Sequence, residues 1–116
     1  MKRGEIWTLQ DEGYASKARP VVIVQSDLVD GSDSVILTLF TSFDNQVSSS
    51  RVRIEPSAAN GLKKTSYVMV EKLLTVRRSE LGRCVGVLTD EQMSSISRHL
   101  AAVLNITKND VEEENN

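Results

Sequence analysis

The sequence predicts a mainly β domain: short strands forming a small barrel or strongly bent antiparallel sheet, closed by one C-terminal α-helix. Three observations carry this. Apolar stretches recur with period-two alternation or as continuous β-branched runs, turn-forming residues separate them, and helical periodicity is confined to the stretch after Thr89.

The elements follow in order. Glu5-Ile6-Trp7-Thr8-Leu9-Gln10 alternates polar and apolar, the pattern of a half-buried strand. A polar loop, residues 11–18, leads to Arg19-Pro20 and then Val21-Val22-Ile23-Val24, a continuous run that predicts a strand buried on both faces. Proline suits its start because it cannot donate to the ladder further in. After a turn-rich link, Val35 to Thr41 is the next strand. A serine-rich loop precedes Arg51-Val52-Arg53-Ile54-Glu55, whose alternation predicts both arginines exposed on one face. Asn60-Gly61 marks a turn. Ser66-Tyr67-Val68-Met69-Val70 is another strand, with Lys72 to Val76 extending or following it, and Gly82 to Leu88 a short last one. Thr89-Asp90-Glu91-Gln92 fits a capping box, and Met93, Ile96, Leu100, Val103 and Leu104 make one apolar helical stripe. The division expected is one domain over residues 1–106 and an acidic, disordered tail over 107–116.

Composition narrows the function. A chain of 116 residues supports one core. With one cysteine and one histidine it has no intrachain disulfide, no CxxC pair and no His-rich zinc centre. Cys84, within a β segment, reads as a small buried hydrophobe, and His99 as a partly buried packing residue. No apolar run is long enough for a membrane span and the first residues lack the apolar stretch of a signal peptide, so the cytoplasm is the expected compartment. The net charge of −2 argues weakly against nucleic acid. Asp110, Glu112, Glu113 and Glu114 against Lys108 put −3 in the tail, so a nearly neutral body can still carry a basic patch.

The order of segments resembles the MazF/PemK/Kid family of toxin endoribonucleases. The matching pieces are Lys2-Arg3-Gly4-Glu5-Ile6-Trp7, Arg19-Pro20-Val21-Val22-Ile23-Val24, Thr38-Leu39-Phe40-Thr41-Ser42, Gly61 to Ser66 followed by Val68-Met69-Val70-Glu71, and Leu74-Thr75-Val76, with Leu81, Gly86 and Leu88 before the helix. They span about residues 2–106. The resemblance implies an SH3-like barrel of the CcdB/PemK type, a homodimer, and an antitoxin partner that holds the enzyme inactive. It implies cleavage of single-stranded RNA or mRNA by the ribose 2′-OH, without metal or cofactor, leaving a 2′,3′-cyclic phosphate and a 5′-OH. Two other readings of the same fold are a CcdB-like gyrase poison and a catalytically degenerate member that only binds antitoxin or RNA.

The chemistry needs a fixed cation and hydrogen-bond donors aimed at the phosphorane oxygens. On the resemblance, Arg19 supplies a bidentate guanidinium, and Thr41 and Ser42 supply hydroxyls. The Glu or His that many family members carry a few residues before the Arg-Pro is absent here, where Tyr14-Ala15-Ser16-Lys17-Ala18 stands. Tyr14 stands at its spacing and suits base stacking better than proton abstraction, leaving Glu12 or Glu71 as the candidate base. Lys17, Lys63, Lys64 and Lys72 are candidates for RNA backbone contacts, with Lys72 where the family often has Gln; Arg51 and Arg53 read as a solvated face.

Overall fold

A computed structural model describes residues 1–10, 18–29, 32–43 and 50–113. Six strands come first: β1 (Glu5–Gln10), β2 (Ala18–Ile23), β3 (Ser34–Thr41), β4 (Arg51–Ile54), β5 (Ser66–Arg77) and β6 (Leu81–Val87). A single 3-10 turn, Arg78–Glu80, joins β5 to β6, and the helices α1 (Asp90–Val103) and α2 (Lys108–Glu113) follow. The strands form one antiparallel sheet in the order β4-β5-β3-β2-β1-β6. Among the described residues no helix is long and apolar enough to cross a membrane.

Alternation sorts the core onto two faces. Ile6, Val22, Phe40, Val52, Ile54, Val68 and Val70 point to one face, where they pack with Met93 and Ile96 of α1. Val21, Ile23, Val35, Leu37, Val76 and Leu81 form a second cluster, with Trp7, Leu9 and Leu39 against it. The run Val21 to Val24 is therefore buried on both sides, as its composition predicts.

The two edges of the sheet are drawn together by the turn after β4. Val87 N–H donates to Ala59 O at 2.9 Å. Gly86 lies so close to this turn that a Cβ there would sit 2.3 Å from the Asn60 carbonyl carbon. Gly61, at φ +68°, is equally tight against Val85 O. Residue types without a Cβ thus let the sheet curl back on itself. Asn60, 1% exposed, organises the turn. Its Oδ1 accepts from Ser57 N–H at 3.0 Å and Leu62 N–H at 2.9 Å, and its Nδ2 donates to Glu55 O at 2.9 Å.

Three expectations need correction, and β5 settles one alternative that the sequence left open, with Lys72 to Val76 extending the strand. β5 is one strand of 12 residues, but its pairing with β3 slips: Leu39 faces Met69 while Thr38 faces Leu73. A slip of three residues is odd, so it turns the strand over. Val70 then belongs to the helix-covered cluster and Val76 to the opposite one, although their spacing would put them on one side. Cys84 is exposed, because β6 lies at a sheet edge. The apolar stripe of α1 is buried only at Met93 and Ile96; Val103 and Leu104 are 42% and 51% exposed, past the end of the sheet. Residues 108–113, expected within a disordered tail, form α2, whose start is capped by Thr107 and Asp110 bonding each other's backbone N–H groups at 3.3 and 2.8 Å.

The capping box of α1 forms as the sequence predicts. Thr89 Oγ1 accepts from Gln92 N–H at 3.1 Å and Gln92 Oε1 accepts from Thr89 N–H at 2.9 Å. The Arg3 guanidinium reaches Val24 O and Ser97 Oγ, tying the N-terminus to the residue after β2 and to α1.

Candidate active site

Two strand ends make the site. β2 pairs with β3 through Val21–Leu39, Val22–Thr38 and Ile23–Leu37. Continuing that register by two residues sets Arg19 opposite Thr41. β3 then pairs with β5 through Thr41–Tyr67, so Ser42 falls opposite Ser66. The inner positions of these strands are sealed, with Val21 and Leu37 at 0% exposure. Arg19 stands outside the seal and is exposed, on backbone that the ladder fixes.

A cavity of about 330 Å³ opens there, bordered by Arg19, Thr41, Ser42, Lys64 and Ser66. Pro20 and Phe40 give it an apolar floor. The Thr41 hydroxyl oxygen accepts from Phe43 N–H at 3.1 Å, closing the turn after β3. That bond uses a lone pair and leaves the hydroxyl proton available for donation. Ser66 is buried and donates to Lys64 O at 2.9 Å, which fixes the backbone that carries the lysine. The cavity thus presents two cations and two hydroxyl donors, Thr41 and Ser42, and no acidic side chain among the described residues that border it. Such a donor set suits a phosphodiester. A larger cleft, about 540 Å³, lies near Met1, Lys2, Asp27 and Arg78. There Asp27 accepts from Arg3 N–H at 2.8 Å, and Arg78 Nε donates to Ser32 O at 3.0 Å.

Among the candidates named from sequence, the cavity gathers Arg19, Thr41, Ser42 and Lys64. Lys63 and Lys72 are exposed outside it. Glu12, Tyr14 and Lys17 lie outside the described residues. Glu71 does not border the cavity. It accepts from Ser50 Oγ at 2.8 Å and from Arg51 Nε at 3.2 Å. Burial alone would raise its carboxyl pKa, but these bonds from Ser50 and Arg51 outweigh it and hold the pKa below the ordinary value of 4.5. Arg51, expected to be solvated, is half-buried in this pair, and only Arg53 of the two is exposed. Among the described residues no three His, Cys, Asp or Glu side chains cluster as a metal site. Ser66 was missed from sequence; its signal, a polar residue at an inward strand position, was present in the alternation with Val68 and Val70.

A sequence model of the PemK-like, MazF-like toxins of type II toxin–antitoxin systems matches residues 2–104. The chain belongs to this family. The chain is 41% identical over 107 residues to a probable endoribonuclease MazF of Mycolicibacterium smegmatis, covering 91% of this chain and 98% of that one. A mycobacterial endoribonuclease solved in complex with its cognate antitoxin has the same fold, with a TM-score of 0.78 and 27% identity over 92% of this chain and 97% of that one. A MazE–MazF structure from Deinococcus radiodurans shares the fold at 14% identity, with a TM-score of 0.75 over 92% of this chain and 97% of that one. The six-stranded antiparallel sheet with its C-terminal helix is therefore the MazF-type fold, as the resemblance in sequence implied.

Proposed function

We propose that this MazF-like toxin endoribonuclease cuts single-stranded RNA at the Arg19–Thr41 cavity, by attack of a ribose 2′-OH on the adjacent phosphate. The observation that carries the reading is the joining of Arg19, Lys64 and the Thr41 and Ser42 hydroxyls around one cavity. In-line attack concentrates charge on the phosphorane oxygens. Arg19 meets it with a planar fork that cannot lose its proton, and Thr41 and Ser42 donate beside it. Lys64, which borders the same cavity, supplies a second cation. The products are a 2′,3′-cyclic phosphate and a 5′-OH, and charge stabilisation by these groups proceeds without metal or cofactor. Glu71 would have to leave Arg51 to act as a base, so its role in this reading is to hold Arg51. The cellular substrate is mRNA, the working form a homodimer in the cytoplasm, and the inhibitor a cognate antitoxin. The mycobacterial relative solved with its antitoxin supports that last part.

The test is cleavage of a heteropolymeric single-stranded RNA in EDTA, with product ends identified by mass spectrometry. Wild type should cut, and Arg19→Ala should lose roughly 10²–10³-fold in rate, the loss seen when one preorganised donor to a developing oxyanion is removed. Equal cleavage by both proteins, or dependence on added metal, would sink the reading.

A further inference from the structure

Arg19 and Thr41, two of the residues that border the cavity, also begin a row across the face of the sheet opposite to Phe40, which points toward α1. Thr41 of β3 pairs with Tyr67 of β5, and Tyr67 pairs with Arg53 of β4. Continuing the β2–β3 register two residues beyond its last pair, Val21–Leu39, sets Arg19 opposite Thr41, so four neighbouring strands bring Arg19, Thr41, Tyr67 and Arg53 into one row. Directly opposed residues of a sheet point to the same face, so the row reads cation, hydroxyl, aromatic ring, cation across about 14 Å. It lies on the face opposite α1, since Val52, Ile54 and Val68 on the same strands point toward the helix.

Two further observations mark the far half of the row. Tyr67 is half-buried, yet it is a member of neither apolar cluster. Arg53 is 65% exposed and its partner is Glu55, itself 60% exposed, at 2.7 Å. An ion pair this open is readily exchanged for another anion. Arg51, by contrast, is half-buried against Glu71 and is not offered to a ligand.

We infer that Tyr67 and Arg53 form a nucleotide subsite flanking the cut. The base next to the scissile phosphate stacks on the Tyr67 ring, and the following phosphate takes the Arg53 guanidinium from Glu55. Single strands are gripped elsewhere by this combination of an aromatic platform and a cation, and stacking tolerates any base. The subsite therefore contributes affinity and sets the direction of the strand across the sheet, while sequence choice rests with other groups. This inference rests on the endoribonuclease reading above.

The probe is a fluorescein-labelled 2′-O-methyl RNA pool of randomised sequence, which offers bases and phosphates but no attacking hydroxyl. The full chain and its variants are titrated with it over a range of salt. Tyr67→Ala should bind roughly 5- to 150-fold more weakly, the range for loss of one base–aromatic stack, and Tyr67→Phe should restore binding. Arg53→Gln, at an exposed position where folding is not at issue, should lower the slope of log K against log salt by about 0.7. Unchanged affinity in Tyr67→Ala, or an unchanged slope in Arg53→Gln, overturns the subsite while Arg19→Ala still slows cleavage as expected above. A lower melting temperature in Tyr67→Ala with wild-type affinity means that the ring only packs beside Arg53, and likewise overturns it. If wild type neither binds the probe nor cuts RNA, the endoribonuclease reading itself falls.

Discussion

Replacing Asn60 by alanine removes three hydrogen bonds at once from a turn that both closes the sheet and leads to Lys64. The side chain is 1% exposed, and its partners are Ser57 N–H, Leu62 N–H and Glu55 O, at 3.0, 2.9 and 2.9 Å. A net worth of about 0.5–1.5 kcal/mol per bond gives about 1.5–4.5 kcal/mol for the three. The upper part of that range is expected, because alanine leaves two donors and a carbonyl without their partner. Ser57→Ala sets the scale, since it removes only the 3.1 Å bond from Asn60 N–H and should cost about 1 kcal/mol. Urea denaturation measures both, as shifts in midpoint at unchanged slope. A cost for Asn60→Ala no larger than that of Ser57→Ala would refute the reasoning, because it would mean that water replaces the amide freely.

Two other substitutions test the closure and the charge network. Gly86→Ala would put a methyl 2.3 Å and 2.4 Å from the Asn60 carbonyl carbon and oxygen and 2.5 Å from Ala59 O. These neighbours are backbone, so the cost should reach or exceed the top of the roughly 1–3 kcal/mol range for overpacking; an unchanged melting temperature contradicts it. Glu71→Gln tests the sign of a titration. The folded-state carboxyl lies below its unfolded value of 4.5, so its stabilisation is present above that pH and is lost as pH falls through the folded value. Wild type should therefore exceed Glu71→Gln by about 0–1 kcal/mol at neutral pH, shrinking in acid. Urea midpoints for the two proteins that diverge further as the pH drops would contradict the assignment.

Local pattern was enough for β1, β2, β3 and the start of α1, because each is set by its own side chains. The alternation of Glu5–Gln10, the β-branched run from Val21, and the Thr89–Gln92 box appear in the structure at the predicted places. What failed depends on partners distant in sequence. The three-residue slip in β5 is decided by where Thr38 and Leu39 fit, and nothing in Val70-Glu71-Lys72-Leu73 announces it. The exposure of Cys84 follows from the edge position of β6, a property of strand order. The resemblance named Arg19 and Thr41, but their meeting at one cavity depends on two strands coming together. Asn60 read only as a turn former; its three bonds depend on Glu55, Ser57 and Leu62 folding around it. Tyr67 could be assigned to the face opposite Val68, yet its neighbours, Thr41 and Arg53, come from two other strands.

The position of the cavity at strand ends has a physical reason. Two residues further in, at Val21 and Leu39, the same face is packed against the second core cluster, and an arginine there would lose its water without gaining a counter-ion. Arg19 is far enough out to stay charged and hydrated, while the ladder to Leu9 holds its backbone. That combination is what charge stabilisation of a phosphorane requires: fixed donors that need not reorganise when the charge appears. The same geometry makes Glu71 the weaker of the two candidate bases, the other being Glu12, which lies outside the described residues. The Glu71 carboxylate is already neutralised by Arg51 and Ser50, and a proton acceptor is weakened by the bonds that lower its pKa. General-base help is typically worth about 10²–10⁴-fold, so on the proposed reading a site that worked through Arg19, Lys64 and Thr41 without Glu12 would give up that factor and keep the reaction class.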